Sequence, residues 1–148
     1  MLSIINNKNI LTSDKLMLVC PVNCNGVMGK GLALQFKQQY PDMFQKYKSI
    51  CQNNLLNIGK LWIYKNDNYK HQILCFPTKL NWWQPSKVEY VTEGLQKFVD
   101  TYKNKNIASI SFPLLGTGCG GLNNKEILSI MTDYLNKCND CDIEICNF

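Results

Sequence analysis

Short apolar runs alternate along this chain with longer segments in which apolar residues recur every three or four positions. Leu2 to Ile5 is predicted as a first strand, stopped by the turn-forming Asn6-Asn7-Lys8-Asn9. Lys15 to Val22 (KLMLVCPV) is apolar without alternation, as in a strand covered on both faces. Leu32 to Lys37 begins a helix, and Pro41 opens a second, with Met43, Phe44, Tyr47 and Ile50 on one face. Leu61 to Tyr64 and Gln72 to Phe76 bracket the turn Asn66-Asp67-Asn68 and read as paired strands. Ser86-x-x-Glu89 has the form of a capping box, followed at helical spacing by Val88, Val91, Leu95, Phe98, Val99 and Tyr102. Ile107 to Pro113 is the next strand. Asn123 with Glu126 caps a last helix carrying Ile127, Leu128, Met131, Tyr134 and Leu135, and Ile143 to Cys146 closes the sheet. Strands alternating with helices predict a three-layer α/β/α sandwich with a mixed, largely parallel central sheet.

Composition narrows this picture. With 148 residues, 45% of them apolar and 18% charged, residues 1–148 are expected to form a single domain with its own core. No apolar run reaches the length of a membrane span, so no membrane partner is expected and the cytoplasm is, that of a host should the gene be phage-borne. The eight cysteines are scattered and several lie in predicted core strands, which favours buried thiols over disulfides. Cys138-x-x-Cys141 is the single metal-like pair and His71 the single histidine, so neither a metal nor a cofactor is expected. His71 reads as a residue packed at a strand edge.

The net charge of +5 rests on lysine alone, for the chain contains no arginine. Bidentate guanidinium clamps are therefore excluded, and an anion must be held by backbone amides, helix N-termini and lysines. Two segments suit that task. Gly26 to Gly31 and Gly116 to Gly121 are glycine-rich loops, each leaving the carboxyl end of a predicted buried strand and each leading to a helix. Ligands of open α/β sheets bind beyond such strand ends, and glycines let backbone amides approach a phosphate. Neither loop has GxGxxG order, and no GK[ST] follows. Each could alone be a tight turn; as a facing pair they would cradle a diphosphate.

Three ordered blocks carry a resemblance to a known family: Val22 to Lys37 (VNCNGVMGKGLALQFK), Phe76 to Lys79 (FPTK) and Phe112 to Leu122 (FPLLGTGCGGL). They resemble the macrodomain, an ADP-ribose-binding fold, and within it the DarG-type branch, antitoxin macrodomains that remove ADP-ribose from DNA bases, with the terminal ADP-ribose glycohydrolases as neighbours. The resemblance spans nearly the whole chain. It implies that Gly26, Val27, Met28, Gly29, Lys30 and Gly31 line the distal ribose and diphosphate. It implies that Leu115, Gly116, Thr117, Gly118, Cys119, Gly120, Gly121 and Leu122 wrap the diphosphate from the other side. Thr78 would join them, and the implied catalytic residues are Lys79 and Asn23, the latter at the distal ribose. Phe148 falls where an aromatic stacks on adenine.

The implied partner is ADP-ribose or an ADP-ribosylated substrate, including single-stranded DNA that carries it, bound by a monomer. Cleaving an N-glycosidic linkage needs a nucleophile on the sugar or a proton for the leaving base, and a free-base lysine could serve as the first through a Schiff base. Trp82 and Trp83, just beyond Lys79, are candidate stacking surfaces for a nucleobase. Lys60 and Lys87 are candidate phosphate contacts, though lone lysines are more often only solvated.

The chain also departs from the family. Many macrodomains hold the adenine amino group with an aspartate where this chain has Asn9-Ile10; an amide can still engage adenine as donor and acceptor. Gly120 falls where the terminal glycohydrolase carries a catalytic aspartate, which favours the lysine-based branch. The C-terminal region of full-length DarG antitoxins has no counterpart in these residues, so the resemblance does not carry toxin binding through it, and any toxin partner stays open. Other functions remain open: a non-catalytic binder or sponge of ADP-ribose or a cyclic ADP-ribose derivative, or an ADP-ribose-1″-phosphate phosphatase.

Overall fold

The computed structural model describes residues 1–147; Phe148, the expected adenine-stacking residue, lies outside them. In chain order the elements are β1 (Leu2–Asn6), a short 3-10 turn (Ile10–Thr12), β2 (Met17–Val22), α1 (Gly31–Gln39), α2 (Pro41–Gln52), β3 (Trp62–Tyr64), β4 (Gln72–Pro77), α3 (Val88–Thr101), β5 (Ser109–Pro113), α4 (Asn124–Leu135) and β6 (Asp142–Asn147). The six strands form one sheet in the order β1-β6-β5-β2-β4-β3. Neighbours run parallel except the antiparallel pair β3 and β4, where Trp62 faces Cys75 and Tyr64 faces Ile73.

The unbroken apolar run of β2 is explained by its place between β4 and β5. Met17 and Val19 join the core beneath α3 and α4, with Leu95, Phe98, Ile127 and Met131. Leu18, Cys20 and Val22 join the opposite core, with Phe36 of α1 and Met43, Phe44 and Tyr47 of α2. Successive residues thus enter opposite layers, as strand geometry requires, giving the three-layer sandwich. Gly94 lets α3 approach the sheet: a Cβ there would lie 2.3 Å from the Phe76 ring. Six of the eight thiols are buried, Cys24 and Cys119 being the others. Among the described residues no helix is long and apolar enough to cross a membrane.

Two buried polar groups pin the sheet. Glu144 of β6 accepts from Ser13 Oγ (2.6 Å), Ser111 Oγ (2.9 Å) and Lys8 Nζ (3.0 Å), tying the chain around the 3-10 turn to β5 and β6. Burial opposes its ionisation, but the hydrogen bonds from Ser13, Lys8 and Ser111 and the charge of Lys8 outweigh this and hold the carboxyl at about 2. His71 is buried between Tyr40 Oη and the carbonyl of Ser13, each 2.8 Å from a ring nitrogen.

One expected cap is corrected. Asn123 does cap α4, accepting from Glu126 N at 3.0 Å. Helix α3, however, starts at Val88 with Lys87 in the capping position and no side-chain cap. Ser86 is committed elsewhere. Its N–H donates to the Gly120 carbonyl (3.0 Å), and its hydroxyl is buried against the second glycine loop without a hydrogen-bond partner among the described residues.

Candidate active site

Because β2, β4, β5 and β6 run parallel, their carboxyl ends share one edge of the sheet. A cleft of about 570 Å³ opens there. Val22, Pro113 and Cys146, at the ends of β2, β5 and β6, line its floor, the last two facing each other in register. Such a strand-end crevice is where open α/β sheets bind ligands.

The first glycine loop forms one wall. Asn23, Val27, Gly29, Lys30 and Gly31 line the cleft, while Gly26 and Met28 are buried behind it. Asn23 holds the loop in shape: its Oδ1 accepts from Asn25 N at 3.0 Å and its Nδ2 donates to the Val27 carbonyl at 2.8 Å. The Tyr47 hydroxyl donates to the Asn23 carbonyl from below (2.7 Å), and burial raises this hydroxyl so far that it stays a donor. Gly26 has φ +86° and sits on the α2 backbone, where a Cβ would meet Lys48 Cα at 3.3 Å. The loop delivers the start of α1 into the cleft. Gly31, Leu32 and Ala33 line it, and Lys30 gives the helix no side-chain cap, so the positive end of the helix dipole opens on this space.

The second loop forms the facing wall. Gly116, Thr117, Gly118, Cys119 and Gly120 line the cleft; Leu115 is buried in the core, and Gly121 and Leu122 are outside the lining. The bonds that fold this loop are Gly121 N to the Gly118 carbonyl (3.2 Å), Leu122 N to the Gly116 carbonyl (3.0 Å) and Thr117 Oγ1 to the Leu114 carbonyl (3.0 Å). The backbone N–H groups of Thr117 to Gly120 donate in none of them. Opposed to the α1 terminus, they make a short-range, directional lining for an anion.

Beyond β4, Thr78, Lys79 and Trp82 also line the cleft. Lys79 Nζ donates to the Trp82 carbonyl at 3.3 Å. Trp82 and Trp83 stand edge to face, centroids 5.6 Å apart, and are 54% and 63% exposed. Trp83 is on the outer rim rather than in the lining. Lys60 and Lys87 are outside it too; Lys87 Nζ lies 5.8 Å from the Tyr90 ring centroid.

Asn9 and Ile10 are not brought to the cleft as expected. Asn9 Oδ1 accepts from Leu11 N (3.0 Å) to cap the 3-10 turn, and Ile10 is buried in the core beneath α1 and α2. Conversely, sequence reading missed Leu32, Ala33, Asn124 and Cys146 as lining residues. Each stands at a helix start or a strand end, a signal that becomes readable only with the strand order.

The lining restricts the chemistry. Among the described residues it contains no carboxylate and no imidazole; its ionisable side chains are Lys30, Lys79, Cys119 and Cys146. Burial raises the Cys146 thiol. Cys24, behind the first loop, is pushed up to about 11 by burial, with Cys51 adding to the effect, so it remains a thiol at neutral pH. The site is thus amide-rich and acid-poor, with the primary amines of Lys30 and Lys79 in its lining.

Comparison with known proteins gives the site its relatives. A model of the Macro domain family matches residues 19–131, which include both glycine loops and Lys79. The macrodomain of Mycobacterium tuberculosis DarG superposes with a TM-score of 0.94 at 36% identity, covering 100% of this chain and 98% of that one. Thermosipho africanus DarTG, solved in complex with ADP-ribose, superposes with a TM-score of 0.93 at 32% identity, over 99% of this chain and 41% of its own. The Mycobacterium tuberculosis DNA ADP-ribosyl glycohydrolase is 40% identical over 140 residues, 93% of this chain. The chain spans about 40% of that relative's length. Matched by the family model over most of its length, and by DarG macrodomains over all of it, the chain belongs to the macrodomain family.

Proposed function

We propose that the domain is an ADP-ribosyl glycohydrolase that removes ADP-ribose from modified DNA bases. The observation that carries this reading is a cleft walled by two amide-rich glycine loops and holding, among the described residues, neither carboxylate nor imidazole, with the amine of Lys79 beside it. The diphosphate of ADP-ribose lies between the α1 terminus and the amides of Thr117 to Gly120, and Asn23 contacts the distal ribose. Similarity to a DNA ADP-ribosyl glycohydrolase and to a DarTG solved with ADP-ribose supports both the ligand and the reaction.

In this reading the Lys79 nitrogen attacks C1″ of the distal ribose. The C1″–N bond to the base breaks, its electron pair stays on the base nitrogen, and that nitrogen takes the proton which the Lys79 nitrogen sheds on becoming a neutral glycosylamine. The ribose is then joined to Lys79 through C1″ as a glycosylamine in equilibrium with its ring-opened imine. Water adds at C1″, the C–N bond to Lys79 breaks, and ADP-ribose leaves with the amine restored. Trp82 and Trp83 supply the surface on which the released base, or its neighbour in an unpaired strand, stacks.

The test is parallel incubation with oligonucleotides ADP-ribosylated on thymidine or guanosine, ADP-ribosylated protein and ADP-ribose-1″-phosphate. Lys79→Ala should slow release from the oligonucleotide by about a hundredfold or more while ADP-ribose still binds. Binding without release by either protein would make the domain a binder or sponge. Release of phosphate from ADP-ribose-1″-phosphate alone would make it a phosphatase.

A further inference from the structure

The segment that carries Lys79 is not an independent loop. It is docked on the first glycine loop through one exposed side chain, Asn25. Asn25 Oδ1 accepts from the backbone N–H of Trp82 (2.8 Å), and Asn25 Nδ2 donates to Asn81 Oδ1 (2.8 Å). Both ends of the amide are therefore spent on a turn 56 and 57 residues away. A backbone bond from Cys24 N to the Leu80 carbonyl (3.1 Å) runs beside them. Within the turn, Gln84 N donates to the Asn81 carbonyl (3.1 Å) and Asn81 Nδ2 to Gln84 Oε1 (2.8 Å), so it docks as one compact unit.

Trp82 is the joint of this arrangement. Its N–H is held by Asn25, and its carbonyl accepts from Lys79 Nζ. We infer that Asn25 is a positioning residue for Lys79: it fixes the Trp82 backbone, and through the Trp82 carbonyl it sets where the Lys79 amine stands relative to the loop that grips the ligand. The inference rests on the glycohydrolase reading above. An amide suits the task because one side chain must accept from a peptide N–H and donate to a second acceptor at once. Without it, the Cys24 to Leu80 bond still tethers the turn but leaves Trp82 and the lysine free to shift, and displacements of about 1 Å are enough to cost large factors in rate. The lining amides of α1 and the second loop are untouched by Asn25, so ligand affinity should not follow the loss.

The experiment compares wild type, Asn25→Ala and Asn25→Asp. Turnover of an ADP-ribosylated thymidine oligonucleotide gives kcat, calorimetry with ADP-ribose gives Kd, and NMR hydrogen exchange follows the Trp82 amide. Asn25→Ala is expected to lower kcat at least tenfold, leave the Kd within twofold and speed exchange at Trp82. Asn25→Asp keeps the acceptor for Trp82 N–H and is expected to recover most of kcat. An Asn25→Ala protein with wild-type turnover, or with unchanged Trp82 exchange, or whose affinity falls in step with kcat, overturns the inference alone. A wild-type protein that releases nothing overturns the glycohydrolase reading and the positioning role with it, while the Trp82 exchange still reports whether the clamp exists.

Discussion

Three glycines of the second loop separate two reasons for having no side chain, and replacing each with alanine should give three different results. At Gly118 a Cβ would meet nothing within 4 Å, and the backbone is not left-handed. At Gly121 it would again meet nothing, but φ is +81°. At Gly120 it would lie 2.2 Å from Ser86 Oγ, 2.4 Å from the Gly116 carbonyl oxygen and 2.8 Å from Ser86 Cβ. Gly118→Ala should therefore be neutral, or stabilising by about 0.5 kcal/mol through the unfolded chain. Gly121→Ala should cost about 1–2 kcal/mol of left-handed strain. Gly120→Ala must open the loop: ordinary contact starts at 3.4 Å, so the Gly116 carbonyl has to retreat by roughly 1 Å. Overpacking of this kind costs about 1–3 kcal/mol, and the upper part of that range applies because the obstacle is the loop's own backbone and a buried serine.

Urea titration reads these differences as shifts in midpoint, and heating should show Gly120→Ala melting roughly 4–10 °C below wild type. The same opening moves the amides of Thr117 to Gly120, so ADP-ribose affinity should fall about tenfold or more, equivalent to about 1.4 kcal/mol. Ser86→Gly introduced together with Gly120→Ala should recover part of both losses, since it removes two of the three clashing atoms and leaves the Gly116 carbonyl. Equal stability and equal affinity for Gly118→Ala and Gly120→Ala would refute the reasoning. A carboxylate at 120, the residue implied for the terminal glycohydrolase, needs the same Cβ and meets the same obstacle.

The Glu144 carboxyl is held at about 2 against an ordinary 4.5, so its contribution is complete above pH 4.5 and is lost as pH falls toward 2. Glu144→Gln should cost about 2–3 kcal/mol at pH 7 and almost nothing near pH 2, measured by urea unfolding across that range; a pH-independent difference would contradict this. Gly94→Ala should lose about 2 kcal/mol despite the better helix propensity of alanine, because the new Cβ falls 2.3 Å from the buried Phe76 ring; Phe76→Leu in the same protein should recover part of it, and an unchanged melting temperature would count against the packing argument. Trp82→Ala and Trp83→Ala should each raise KM for an ADP-ribosylated oligonucleotide by about fivefold or more, with ADP-ribose affinity less affected at Trp83, which is outside the cleft lining; equal KM values for all three proteins would remove the stacking role.

How much of this could be read from the chain depends on how far apart the interacting residues lie. The β2 run, the Pro41 helix start and the Asn123 cap are local patterns, and each element formed where the pattern put it, shifted by a residue or two. Ser86-x-x-Glu89 is local too, and it misled: the same spacing serves a serine whose N–H is taken by Gly120, 34 positions on, and whose hydroxyl packs under that loop. Asn9 shows the reverse. An asparagine ahead of Ile-Leu-Thr is also a local capping signal, and the structure spends its oxygen on Leu11 N. Asn25 carried no local signal, since both of its side-chain partners lie across the cleft rim. Cys146 reached the cleft only because β6 pairs with β5 in parallel, with Pro113 opposite it, and strand order is not written in periodicity.

The absence of arginine ties these observations together. Sixteen basic residues, all lysine, give the chain its charge, yet only Lys30 and Lys79 line the cleft. A lysine is a mobile, strongly hydrated point charge and a poor ruler for a diphosphate, whereas amides fixed by a loop are short-range and directional and do not titrate. Anion recognition can therefore rest on backbone that Gly120, Ser86 and the Asn23 bonds hold in place, and no side-chain charge is consumed in it. Under the proposed function that division leaves both cleft amines uncommitted to the diphosphate, and Lys79 is the one assigned to the reaction. The division also makes that amine's position a separate problem from ligand binding, and the Asn25 clamp, which reaches from the first glycine loop to the turn bearing the lysine, connects the two.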